Sequence, residues 1–112
     1  MKEIAKKIYE MLGPGYSECV YHRAFEVMLR MRGVPYETER IVPIVFEGHT
    51  IGNLRVDLIV GGTCIIELKA IAKLNEAAKI QTQNYLKLTG LTEAFLINFP
   101  PSGGEPEIII YL

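Results

Sequence analysis

The sequence predicts a mixed α/β fold of the α+β kind, in which a mixed central sheet is flanked by helices. The apolar residues follow a helical period before residue 33 and again after residue 75, and they follow a strand period between and after these segments. The resulting element order, α-α-β-β-β-α-β-β, combines a hairpin region with a helical crossover between two strands. The chain of 112 residues is long enough for one domain, over residues 1–112, with a modest core.

Two helices are predicted at the start. The first covers residues 2–12 and ends at Gly13-Pro14-Gly15, and the second runs from Glu18 to Arg32 with Ser17 as its N-cap. The residues expected to face the core are Ile4, Ala5, Ile8, Met11 and Leu12 in the first helix, and Val20, Ala24, Phe25, Met28, Leu29 and Met31 in the second.

The period changes at Pro35. The predicted strands are Tyr36–Phe46, Thr50–Val60, Thr63–Lys69, Glu93–Phe99 and Ile108–Leu112. Pro43 favours an edge or a bend in the first strand, and Gly52 favours a bulge in the second. A third helix begins at Asn75 and ends at Thr89-Gly90. Its neighbouring stripes hold Ala77, Ala78, Ile80, Gln81, Asn84, Tyr85 and Leu88. We expect a right-handed crossover through this helix.

Composition excludes several classes of protein. Apolar residues make up 49% and charged residues 22%, which is typical of a globular chain rather than a disordered one. No apolar run approaches the roughly 20 residues of a membrane span, and no secretory signal opens the chain, so we expect a cytoplasmic protein without a membrane partner. A net charge of −1 means that any nucleic-acid contact needs a local basic patch or bound metal.

Cys19 and Cys64 form no disulfide framework and are expected in the core, and His22 and His49 are expected to be surface or structural residues.

Charged residues stand inside two of the apolar strands. Asp57 follows Val56 and precedes Leu58-Ile59-Val60, and Glu67 and Lys69 end the run that begins at Cys64. Unpaired charges in buried strands are costly, so these side chains need a compensating function. We interpret the two carboxylates as ligands of a divalent metal, with Lys69 beside them.

The Gly61-Gly62-Thr63 turn decides whether the two carboxylates meet. A two-residue turn pairs Val60 with Thr63 and places Asp57 and Glu67 on opposite faces. A three-residue turn pairs Val60 with Cys64 and brings Asp57 opposite Glu67, with their Cβ atoms roughly 5 Å apart. The metal hypothesis therefore predicts the three-residue turn, for which glycine supplies a positive φ.

This register also sets Arg55 opposite Lys69. Two carboxylates at so short a distance repel each other. A Mg²⁺ ion bound to their oxygens removes the repulsion and keeps several waters as its other ligands. Such an ion activates water at a phosphodiester, and Lys69 is placed to orient that water. The alternative is an ordinary cluster of charges on a solvated sheet face, and spacing alone does not decide between the two.

Three helical residues are candidates to join the site. Gln81 and Tyr85 share a face of the third helix and could bind a phosphate or the lysine. Glu18 opens the second helix, where the helix dipole alone explains a carboxylate, or it adds a direct or water-mediated metal ligand.

The chain also resembles a known family. Gly15-Tyr16-Ser17-Glu18-Cys19-Val20-Tyr21 is similar to the signature of the GxxExxY proteins. Asp57 followed by Glu67-Leu68-Lys69 resembles the core of the PD-(D/E)XK nuclease superfamily, and Gln81-x-x-x-Tyr85 is similar to the QxxxY motif of its RecB-like branch. Val56 replaces the proline of the superfamily motif, and Ala78 stands where a histidine is expected in many relatives.

The resemblance implies a restriction-endonuclease-like αβββαβ core and phosphodiester hydrolysis with Mg²⁺ or Mn²⁺. It implies metal ligation by Asp57, Glu67 and the Leu68 carbonyl, with Glu18 as the acidic residue of the first motif. It makes Lys69 the catalytic lysine and places Gln81 and Tyr85 on the helix after the core.

Three functions follow. The first is a metal-dependent nuclease acting on DNA, with a homodimer as a way to place two sites across two strands. The second is a catalytically silent nucleic-acid-binding module with the same fold, and the third is a dimeric interaction module in which the charges only stabilise. The intact set of Asp57, Glu67, Lys69 and Gln81 favours the first, and the near-neutral charge favours the others.

Overall fold

The computed structural model describes residues 1–112 as three helices and five strands. The elements are α1 (Lys2–Leu12), α2 (Glu18–Met31), β1 (Tyr36–Phe46), β2 (His49–Val60), β3 (Cys64–Lys69), α3 (Glu76–Thr89), β4 (Glu93–Asn98) and β5 (Glu107–Tyr111). The strands form one sheet in the order β1-β2-β3-β4-β5. All neighbours are antiparallel except β3 and β4, which are parallel and connected through α3. The predicted mixed α+β fold is confirmed.

Helices cover both faces of this sheet. On one face, Tyr21 and Phe25 of α2 pack with α1 and with Leu58, Ile66 and other residues of the strands. On the opposite face, Tyr85 of α3 packs against Ile59 and Ile65. Side chains of β3 therefore alternate between an α1/α2 face and an α3 face, and Glu67 and Lys69 belong to the α3 face.

An aromatic cluster fixes the start of α2. The rings of Tyr21 and Phe99 stack with their centroids 4.3 Å apart, and Tyr9 packs against both. The Tyr21 hydroxyl donates to the Gly13 carbonyl at 2.7 Å, which ties α2 to the turn after α1. Ser17 is the N-cap residue of α2, but its side chain makes no capping hydrogen bond.

Several predicted core residues are exposed instead. Tyr9 and Tyr21 fill the interior, and Thr82 is the buried polar residue of α3. Each helix contacts the sheet along one narrow stripe, so apolar side chains at the margin of that stripe remain in solvent. The residues wrongly predicted as buried are Met11, Leu12, Val20 and Met31. Cys19 is also exposed, whereas Cys64 is buried as predicted.

The first hairpin carries the predicted irregularities. Pro43 lies in β1, which is an edge strand of the sheet. The β1–β2 register shifts between Ile44 and Val45, next to the pair formed by Ile44 and Gly52. No helix in the structure is long and apolar enough to cross a membrane.

Candidate active site

The turn between β2 and β3 has the three-residue form that the metal hypothesis predicts. Val60 pairs with Cys64, and Leu58 pairs with Ile66. Gly61 and Gly62 have φ values of 61° and 73°, which side chains other than glycine rarely adopt. The turn therefore sets Asp57 and Glu67 at opposed positions of the two strands.

Side chains replace the backbone ladder at these opposed positions. The Asp57 amide donates to Glu67 Oε1 at 3.0 Å, and the Leu68 amide donates to Asp57 Oδ2 at 2.9 Å. Backbone pairing between the strands ends one position earlier, at Leu58 and Ile66. Each carboxylate thus has one oxygen fixed by an amide and one oxygen that no amide holds.

The predicted pairing of Arg55 with Lys69 is wrong. Because β2 and β3 stop pairing after Leu58, they diverge before Arg55 is reached, and its side chain is exposed. The Arg55 carbonyl instead accepts a hydrogen bond from the Tyr85 hydroxyl at 3.0 Å. Tyr85 is only 3% exposed, so the structure places it as a support for β2.

The alternation of side chains in β2 breaks at Asp57. Leu58 packs on the α1/α2 face, whereas Val56, two residues earlier, packs on the α3 face with Ile59. In β1, Glu39 has a φ of 54°, and the Glu39–Asp57 pair is absent from the register between Tyr36 and Ile44, which is otherwise regular. The regular pattern of both strands is therefore broken at the opposed positions Glu39 and Asp57. We call this break the turn-over. Positive φ in a non-glycine residue is strained and concentrates at functional sites.

The turn-over was not foreseen from the sequence. Regular alternation along β2 would place Arg55 and Asp57 on one face of the sheet. Glu39 carries no local signal for a positive φ, since glutamate has no special preference for that region.

Lys69 completes the α3 side of the site. Its Nζ atom donates to Gln81 Oε1 at 2.8 Å and lies 4.0 Å from Glu67 Oε2. Gln81 therefore meets the lysine directly, which leaves two of the three ammonium protons for a water or a phosphate oxygen.

Burial perturbs the acidic groups of the site. Burial, the Asp57 carboxylate and Glu18 raise the pKa of Glu67 to about 9, against the opposing effects of the Asp57 amide and Lys69. Burial also raises the pKa of Asp57, against the opposing effects of the Leu68 amide and the charges of His22 and Lys69. The pKa of Glu18 is raised by burial and then by Asp57. Without a cation, the Asp57–Glu67 pair therefore retains a proton near neutral pH.

These carboxylates fit a hard divalent cation. Glu67 is only 2% exposed, and its charge is not matched by an ion pair closer than the 4.0 Å contact with Lys69. No group of three or more His, Cys, Asp or Glu side chains is arranged as a metal centre. Mg²⁺ is nevertheless commonly bound by only one or two protein carboxylates, because the ion keeps several waters as its other ligands.

Glu18 and Asp57 line one groove between α2 and the first hairpin. The groove has a volume of about 760 Å³, and most of its lining is polar. The structure thus brings Glu18 to the same opening as Asp57, although it does not complete a three-ligand group.

His22 also lines this groove, although it was predicted to be a surface or structural residue. Its Nε2 atom lies 3.0 Å from Thr38 Oγ1 and 3.4 Å from Glu26 Oε2. The signal in the sequence is the four-residue spacing of Glu18, His22 and Glu26, which places all three on one face of α2.

Comparison with known proteins identifies the family and the fold of this chain. A family model for the PD-(D/E)XK nuclease superfamily matches residues 1–109. No match was found among functionally curated proteins. Among solved structures, the crystal structure of SSO0001 is similar, with a TM-score of 0.57 and 23% identity over 83% of this chain and 47% of that one.

The likeness to SSO0001 shows the fold alone, which is consistent with a restriction-endonuclease-like core. The chain spans about half of the length of SSO0001. The family match, in contrast, extends over nearly the whole sequence. The chain therefore belongs to the PD-(D/E)XK nuclease superfamily.

Proposed function

We propose that this protein is a nuclease that hydrolyses phosphodiester bonds in DNA with Mg²⁺ or Mn²⁺. The observation that carries the proposal is the pair of buried carboxylates, Asp57 and Glu67, each with one oxygen anchored by a backbone amide. In this proposal both are metal ligands, the Leu68 carbonyl is a third, and Glu18 contacts the metal directly or through water.

A bound Mg²⁺ would supply a Lewis acid and an activated water. The chain's own residues do the positioning. The amides of Asp57 and Leu68 each hold one carboxylate oxygen and leave the other oxygen available to a ligand, and these hydrogen bonds exist before any ligand arrives.

Lys69 positions the attacking water in this proposal. Its ammonium is fixed by Gln81 and has donors left for a water and a phosphate oxygen. A fixed cation beside the reacting phosphate also offsets the negative charge that develops there.

The groove along α2 is the proposed path of the nucleic acid. It contains Glu18 and Asp57, so a strand lying in it reaches Asp57, one carboxylate of the pair. Arg23 on its rim is exposed and forms no ion pair, whereas Glu26 is engaged by His22 and Arg30. Arg23 thus supplies a local phosphate contact despite the net charge of −1.

Four further parts of the proposal rest on the sequence: the subfamily, the single domain, the location and the dimer. The Gly15–Tyr21 signature assigns the chain to the GxxExxY proteins within the superfamily. Residues 1–112 act as one domain in the cytoplasm, and two copies form the active unit. A chain of 112 residues offers only a small surface to a duplex, and a dimer enlarges that surface.

A second candidate is a catalytically silent module that binds nucleic acid or another protein chain. The outer part of the first hairpin favours it, because large apolar side chains there are exposed. They are Ile41 at 59%, Val45 at 57%, Phe46 at 64% and Ile51 at 65%. Exposed apolar patches of this kind mark interaction surfaces.

Cleavage assays separate the two candidates. Wild-type protein is incubated with linear, single-stranded, branched and damaged DNA in Mg²⁺ and in Mn²⁺. We expect cleavage that is lost in Asp57→Ala and Lys69→Ala but kept in Glu105→Gln, an exposed carboxylate away from the groove. Binding of DNA without cleavage of any substrate would instead support the silent module.

A further inference from the structure

A buried polar residue lies beside Lys69 in the next strand. Asn98 is the last residue of β4, pairs in register with Lys69 and is 0% exposed. Its side chain accepts from the Ile71 amide at 2.9 Å and donates to the Ile71 carbonyl at 2.8 Å. The Asn98 side chain thus makes the same donor and acceptor contacts with Ile71 that a paired strand residue would make. These contacts hold the chain just after β3.

Glu107 extends this contact to the end of the same loop. It is the register partner of Asn98 in β5, and its Oε1 atom accepts from Asn98 Nδ2 at 2.8 Å. The same oxygen accepts from the Leu74 amide at 3.1 Å. Residues 70–75 are therefore tied to the sheet at Ile71 and at Leu74.

The loop of residues 70–75 connects Lys69, at the end of β3, to α3, which carries Gln81. Lys69 precedes it, and its carbonyl accepts from the Phe99 amide at 2.9 Å. Asn75 follows it as the N-cap of α3 and accepts from the Ala78 amide at 2.9 Å. Gln81 lies in α3, so its distance from Lys69 depends on how this loop is held.

We propose that Asn98 and Glu107 are positioning residues, which fix Lys69 and Gln81 relative to each other by clamping residues 70–75 to β4 and β5. This inference rests on the proposed function where it concerns catalysis. Asn98 is costly to bury and an apolar residue of similar size would avoid that cost, so a polar residue at this position indicates a need for the three hydrogen bonds.

Paired variants of Glu107 test the clamp with little disturbance to folding. Glu107→Gln keeps the Oε1 acceptor for both donors, whereas Glu107→Ala removes it. We expect Glu107→Gln to stay within about twofold of wild-type kcat, and Glu107→Ala to lose about tenfold in kcat with KM changed less than about threefold. Asn98→Asp, which removes both donors and places a second carboxylate against Glu107, is expected to lose more.

A control separates positioning from general stability. Ile8→Val trims a buried side chain of α1 on the opposite face of the sheet, and it should lower the melting temperature without changing kcat. Loss of kcat in Ile8→Val equal to that in Glu107→Ala would reduce the clamp to a stability effect and overturn the proposal.

Nuclear magnetic resonance provides a readout that does not need activity. The amides of Ile71 and Leu74 should lose hydrogen-exchange protection in Glu107→Ala, and the side-chain amide resonances of Gln81 should shift. Loss of protection with unchanged Gln81 resonances overturns the inference. Wild-type protein that cleaves no substrate while Gln81 still responds to Glu107→Ala leaves the clamp standing and contradicts the nuclease proposal instead.

Discussion

The amide of Asp57 donates to Glu67 Oε1 at 3.0 Å, and Asp57 in turn accepts from the amide that follows Glu67. The two residues are thus hydrogen-bonded across a gap between β2 and β3 where backbone pairing has ended. The arrangement turns two carboxylates toward each other, which is unfavourable for bare like charges and favourable for a shared cation.

The turn that sets this register is directly testable. Deletion of Thr63 converts it to a two-residue turn and shifts β3 by one position, which moves Glu67 to the other face. We expect loss of metal binding together with strong destabilisation. Gly62→Ala is the milder control: nothing lies within 4 Å of the added Cβ, and the φ of 73° is strained. It should cost about 1 kcal/mol in urea unfolding and leave metal affinity unchanged.

Stability without metal should depend on pH through Glu67. Its pKa is raised by burial from an ordinary value of 4.5 to about 9, so the folded state favours the protonated form. This contribution to stability is complete below about pH 4.5 and is lost as the pH rises toward 9. Urea unfolding in a chelator should show stability falling over that window.

Glu67→Gln isolates this effect, because the amide side chain cannot ionise. The variant should lose most of the fall in stability between pH 5 and pH 9, and it should be more stable than wild type at the alkaline end. A fall of equal size in the variant would assign the pH dependence to other groups.

Lys69 should act in the reaction and not in metal binding. Lys69→Met keeps the apolar stem and removes the charge that lies 4.0 Å from Glu67. We expect a loss of kcat of at least about a hundredfold, with metal affinity within about fivefold of wild type. Lys87→Met, an exposed lysine on α3, is the matched control and should retain full activity.

Arg23 should contribute a phosphate contact in the groove. Arg23→Ala is expected to weaken DNA binding uniformly across sequences and to reduce the slope of log affinity against log salt by about one. Lys7→Ala, an exposed charge on α1 outside the groove, should leave that slope unchanged. If both variants had equal slopes, the groove would not be part of the DNA-binding surface. Fluorescence anisotropy in Ca²⁺ measures the slopes without cleavage.

Glu39 offers a test of the turn-over in the first hairpin. Glycine tolerates a φ of 54°, whereas a β-branched residue does not. Glu39→Gly should therefore be neutral or stabilising by up to about 1 kcal/mol, and Glu39→Val should destabilise by about 1–3 kcal/mol. Metal affinity should fall only in Glu39→Val, because a regular ladder would draw Asp57 back into pairing.

The sequence was sufficient for the fold, and it predicted the opposition of Asp57 and Glu67 only under the hypothesis that the two carboxylates share a metal. The helical and strand periods located every element, and the two glycines before Thr63 indicated the turn that opposes Asp57 and Glu67. The contact between Lys69 and Gln81 was one of the alternatives that the spacing of Gln81 and Tyr85 left open, the other being a contact with phosphate. These features depend on local pattern, which the sequence carries directly.

What could not be predicted depends on tertiary packing. The turn-over at Glu39 and Asp57 breaks the alternation from which strand faces are assigned. The place of His22 in the groove depends on how α2 lies against the hairpin. Met11 and Met31 were assigned to the core by spacing, but the width of the helix contact leaves both of them exposed.

Metal titration by isothermal calorimetry tests the central claim most directly. Mg²⁺ and Mn²⁺ are titrated into wild type, Glu67→Ala and the exposed-site control Glu105→Gln, with circular dichroism confirming the fold of each. We predict saturable binding in wild type and control, loss of about tenfold or more in affinity in Glu67→Ala, and proton release on binding that grows as the pH falls below 9. Equal affinity in wild type and Glu67→Ala, or no binding in wild type, would contradict a metal held between Asp57 and Glu67.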